Sequence, residues 1–123
     1  MALLNNYEIP GTGVIVPNAY HVIVHLDVEK RNTASSIPPD NYNVNRPNAD
    51  NQWLAGYYGR IVVSVFKDKA QRDSGAQPIG VINANNAVNP VFMIDTASSD
   101  TYLTQAYNHL MLTDYYKDAT TAQ

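Results

Sequence analysis

Two histidines, His21 and His25, bracket the stretch His21-Val22-Ile23-Val24-His25, and their spacing raises the first chemical question. On a helix, four residues advance ~6 Å and return to one face, so both imidazoles could share a zinc ion. On a strand the same spacing spans ~13 Å, beyond the reach of one ion with bonds of ~2 Å. From Tyr20 the chain alternates, with Tyr20, Val22, Val24, Leu26 and Val28 on one side and His21, Ile23, His25, Asp27 and Glu29 on the other. A period of two in a run rich in β-branched residues predicts a strand with the first set buried. Both histidines then belong to the wetter face, too far apart to chelate together.

Other reactive residue types fall short of a site. Asn41, Asn43 and Asn45 occupy the first, third and fifth positions of a calcium loop, but Arg46 replaces the glycine of its sixth position and Gln52 the glutamate of its twelfth. The charge that would bind the ion is missing. Gly11-Thr12-Gly13 lacks the third glycine and following helix of a nucleotide fingerprint and reads as a turn. Ser98 or Ser99 with His109 and Asp95 supplies the types of a nucleophile triad, without the strand-to-helix elbow that exposes such a serine. Asp27 and Glu29 share a strand face and could act as acid and base, but both are assigned to the solvent side, where burial would tune neither. Neither a catalytic residue nor a metal or other cofactor is expected.

The richest surface chemistry lies in Gln52-Trp53-Leu54-Ala55-Gly56-Tyr57-Tyr58-Gly59. Trp53, Tyr57 and Tyr58 beside an asparagine-rich loop fit three roles. The first is core, because the segment leads into an apolar strand. The second is a protein interface, where Trp, Tyr and Arg are enriched, with Asn41, Asn43, Asn45 and Arg46 joining the contact. The third is stacking on a sugar ring.

Behind these residues stands a chain of 123 residues with eleven acidic and eight basic side chains, a formal charge of −3 and no cysteine. That length suits one domain able to bury roughly two thirds of its unfolded surface. The charge argues against a surface built to neutralise a nucleic-acid backbone. Lys30-Arg31 and the group Lys67, Lys69, Arg72 read as solvated surface. Without cysteine there is neither disulfide nor thiolate chemistry, and redox compartment is left open. The first residues, MALLNNYEIPG, lack a basic stretch followed by an apolar core, and no apolar run approaches the ~18 residues of a membrane span, so neither a secretory leader nor a span is expected.

Strands are predicted at Tyr7–Ile9 and Val14–Val16, the latter ended by Pro17-Asn18, then at 20–29, Arg60–Lys67, Ile79–Asn83 and Val91–Ile94. Arg60–Lys67, apolar on nearly both sides, is the candidate central strand. The residues after it form a single helical turn closed by Gly75 and stopped by Pro78. Leu103, Ala106, Tyr107, Leu110 and Met111 recur at three- and four-residue steps, predicting a helix near 99–112 with Ser98 or Ser99 as its cap. Residues 32–51, rich in Pro, Asn and Ser, form a long polar loop. The fold class is therefore β-rich α+β: one domain over 1–123, an antiparallel sandwich or partly open barrel of about six strands, with a helix packed on it.

Three segments, NNYEIPGTGVIVPNAYHVIVHLDVEKR, GYYGRIVVSVFKDKAQRDSGAQPIG and DTASSDTYLTQAYNHL, resemble small virion proteins of tailed bacteriophages. That resemblance implies a non-enzymatic structural or assembly subunit of the tail, baseplate or fibre-attachment region, made in the host cytoplasm. Its partners would be copies of itself and other virion proteins. Recognition of a host surface glycan through Trp53, Tyr57 and Tyr58 is the alternative, and a small hydrolase a more distant one.

Overall fold

The computed structural model describes residues 1–32, 54–82, 86 and 88–122. Its strands are β1 (Ala2–Glu8), β2 (Ile15–Arg31), β3 (Gly56–Phe66), β4 (Gly80–Ile82), β5 (Val91–Ile94) and β6 (Thr120–Ala122). A five-residue helix α1 (Lys69–Asp73) follows β3, and the main helix α2 (Tyr102–Met111) leads into a 3-10 turn at Asp114–Tyr116. All pairings are antiparallel and form one open sheet in the order β4-β3-β2-β1-β6, with β5 pairing β3 beyond β4. The β-rich α+β class read from the sequence is the class observed.

β2 starts earlier than the sequence suggested because the first of its two bulges lets it continue through Pro17-Asn18, where pairing should fail. Tyr7 pairs with Val16 and Asn5 with Ala19, so Pro17 and Asn18 together face Asn6. A bulge is one of the few sheet positions that tolerates proline, since the extra residue owes no ladder bond. Asn18 takes a φ of 49° there, and its N–H donates to Asn6 Oδ1 at 3.0 Å. The predicted stop at Pro17-Asn18 is thus a kink within one strand. At the far end of the β1–β2 hairpin, Gly11 and Gly13 adopt φ of 77° and 71°, confirming the turn expected of Gly11-Thr12-Gly13.

The second bulge overturns the face assignment. Ile23 pairs with Val63 and His25 with Val62, leaving Val24 as the extra residue. One inserted residue exchanges the faces of everything beyond it. Before the bulge, Tyr20, His21, Val22 and Ile23 are all buried, because this part of β2 is covered on both sides. After it, Val24 and Val28 are exposed while Leu26 packs against the main core. His21, assigned to the wetter face, is 1% exposed, whereas His25 is solvated as expected.

Two apolar clusters result. The larger joins Leu3, Ile23, Ile61, Val63, Val65 and Phe92 of the sheet to Ala106, Tyr107 and Leu110 of α2 and to Tyr116. The smaller gathers Ala2, Tyr20, Val22 and Phe66. α2 buries three of the five stripe residues, while Leu103 and Met111 stay exposed. Tyr107 also accepts the Ile23 N–H at 3.0 Å, satisfying a donor beside the bulge. The cap of α2 is Thr101, whose side chain accepts from Thr104 N–H; the serines lie in the preceding turn, where Ser98 Oγ accepts from Asp100 N–H. β3 is the central strand predicted, with β2 along one edge and β4 and β5 along the other.

Candidate functional site

The bulge at Val24 aims His25, Asp27 and Glu29 toward the sheet face that carries Tyr58 and Arg60 of β3, since Asp27 pairs with Arg60 and Glu29 with Tyr58. Asp27 stands at the centre of this strip. Its Oδ1 lies 2.8 Å from His25 Nε2, and its Oδ2 accepts from Arg60 Nη2 at 2.9 Å. The Arg60 hydrogen bond, helped by His25, holds the Asp27 carboxyl below its ordinary range. Asp27, Glu29, Tyr58, Arg60 and Val91 border a hollow of about 290 Å³.

As chemistry, the strip is incomplete. A carboxylate orienting an imidazole is half of a nucleophile-activating relay. Among the described residues no hydroxyl hydrogen-bonds to His25, whose partner is Asp27. The other triad types, Asp95, Ser98 and His109, do converge, around a second hollow of about 260 Å³ shared with Phe92, Met93, Gln105, Asn108 and Leu112. Each has a local structural bond. Asp95 Oδ1 accepts from Ala97 N–H at 3.0 Å and Ser98 Oγ from Asp100 N–H at 3.1 Å, while His109 Nε2 donates to Asn89 O at 2.9 Å. His109 stacks on Phe92 with ring centroids 5.4 Å apart. Among the described residues, no three His, Asp or Glu side chains gather where a metal ion would sit, and no helix is long and apolar enough to cross a membrane.

Of the residues singled out in the sequence, Asn41, Asn43, Asn45, Arg46 and Trp53 lie outside the described residues. Tyr58 is 3% exposed and its hydroxyl donates to Leu54 O at 2.8 Å, which is the core role weighed first for one tyrosine of this segment. Tyr57 is half-buried, with the Lys30 ammonium 5.6 Å from its ring centroid. It lines a third hollow, of about 580 Å³, together with Gly56, Met93, Ile94, Asp95 and Thr96.

Met93 connects two of these hollows and was not anticipated. It sits on β5, whose outer edge no strand pairs among the described residues. On one side lies the hollow with Phe92, His109 and Leu112, and on the other the hollow with Tyr57. Met93 is 40% exposed and Leu112, capping the end of α2, is 77% exposed. The sequence placed a strand at Val91–Ile94; its lateral position on β3 and exposed edge depend on pairing that no local pattern encodes.

Comparison with known families, with curated proteins and with solved structures finds no match.

Proposed function

We propose that this chain is a non-enzymatic assembly subunit that works through contacts with copies of itself and with other proteins, in the setting the sequence resemblance implies: the tail, baseplate or fibre-attachment region of a bacteriophage virion. The observation that carries the reading is the edge of β5, where an exposed methionine lies between two hollows lined by Tyr57, Phe92, His109 and Leu112. Met and aromatic residues are enriched where protein surfaces meet, because they bring large, adaptable contact area. A strand edge adds main-chain groups that a partner strand can pair. Here β5 offers only four residues, so side chains in the hollows carry most of the contact.

Light scattering of the purified chain tests this. The unmodified protein is expected to show a mass that is a multiple of 13.6 kDa at tens of micromolar. Met93→Lys combined with Leu112→Asp is expected to reduce it to one copy without altering the circular dichroism. A single-copy mass for the unmodified protein, with no rise on concentration or on mixing with other virion proteins, counts against the proposal.

A further inference from the structure

We infer that His21 is an acid-sensitive latch: protonating its ring releases the segment 114–122, and with it β6, from β1 while the centre of the sheet stays paired. The neutral ring is fully engaged. Nε2 donates to Asn5 O at 3.2 Å, and Nδ1 accepts from the Tyr116 hydroxyl at 2.9 Å. The carbonyl can only accept, so these two bonds fix one tautomer. Protonated Nδ1 would point a second N–H at Tyr116 oxygen, and the phenolic hydrogen would lose its buried acceptor.

Among the described residues, the surroundings offer no compensating charge. The groups facing the ring are Tyr7 from β1, with ring centroids 6.1 Å apart, and Tyr115 and Tyr116 from the 3-10 turn, at 6.2 and 5.3 Å. Across the sheet, its partner on β3 is Val65 and on β1 Leu3, both apolar. Burial raises the Tyr115 and Tyr116 hydroxyls, so neither becomes a negative partner. The same burial lowers the imidazole to about 4, against the smaller opposing effect of the Asn5 carbonyl.

Relief comes at the end of the sheet nearest the ring, where the pairing is short. β6 meets β1 through three residue pairs, Asn5 Nδ2 donates to Tyr115 O at 2.9 Å, and Tyr116 packs in the main cluster beside the ring it bonds. β2 and β3, by comparison, share eleven pairs. Charging the ring removes the Tyr116 bond from this segment, so the part carrying Tyr116 and the short β6 opens first and lets water reach the ring. The outcome is a β1 edge uncovered at Ala2–Leu4.

Amide hydrogen exchange across pH 7 to 4.5, corrected for intrinsic rates, reads this directly. The opening constant of residues 119–122 is expected to rise about tenfold per pH unit below pH 6.5, the slope of one proton taken up per opening. Amides of residues 62–65 serve as the reference and are expected to hold. His21→Gln, whose amide can donate to Asn5 O and accept from Tyr116, is expected to flatten the profile. A flat profile in the unmodified protein, or loss of residues 62–65 in the same step, overturns the latch. Should His21→Gln fail to fold, NMR titration of the His21 ring in the unmodified protein decides: the latch requires ring titration and loss of protection at 119–122 to coincide, and titration with protection unchanged overturns it.

Discussion

His21 and His25 lie on one strand, four residues apart, and occupy opposite environments. His21 is sealed among Tyr7, Tyr115 and Tyr116 with both ring nitrogens hydrogen-bonded, whereas His25 is 60% exposed and leans on the Asp27 carboxylate. What divides them is one extra residue, Val24, which exchanges the faces of β2. The lesson is that residue type and spacing fix what a side chain can do, while a backbone irregularity between two residues decides which of them does it.

The largest effects are expected on the buried side of the Val24 bulge. Ile23→Asp is expected to cost at least about 4 kcal/mol, since it puts an unpaired carboxylate into the core, whereas Val24→Asp is expected to stay within about 1 kcal/mol. Urea unfolding of both variants checks this, and equal losses would remove the bulge from the account. Next in size, His21→Ala leaves the Tyr116 hydroxyl and the Asn5 carbonyl without partners and is expected to cost about 3 kcal/mol. His25→Ala is expected to cost under about 1 kcal/mol, in line with an exposed ion pair.

A pH series sharpens the same contrast. The unfolded His21 ring takes a proton near pH 6.5, the folded ring only near pH 4. Between those values the unfolded chain binds more protons, so stability is fully present above 6.5 and falls as pH drops toward 4. That loss is expected to be on the order of 3 kcal/mol, and His21→Gln to remove it. Smallest of all, Asp27→Asn is expected to leave the urea midpoint nearly unchanged, because its bonds to His25 and Arg60 are half-exposed.

Much of the fold was legible because its signals are periodic. Alternation marked β2, the apolar run marked β3, and the stripe ending in Leu110 and Met111 marked α2. Gly75, with a φ of 81°, follows the Ser74 cap of α1 and closes it as expected. What escaped detection depends on partners distant in the sequence. Val24 resembles its β-branched neighbours, and only pairing with β3 makes it a bulge. Thr120–Ala122 is too short to read as a strand until β1 lies beside it. Thr101, directly before the first helical residue, holds the cap, and Ser98 bonds Asp100 in the turn before it. For the candidate site, the sequence singled out Tyr57, which lines one of the hollows, and allowed that Tyr58 is core, but Met93 and Leu112 gained significance only with β5 as an outer strand among the described residues.

Assembly through the β5 edge is tested most directly by deuterium uptake measured at low and at high protein concentration. Slower exchange is expected at residues 91–94 and 111–113 in the concentrated sample, with the hairpin tip at 10–14 unchanged. Identical uptake at the β5 edge across a hundredfold range of concentration, in a sample whose mass nonetheless rises, would contradict it.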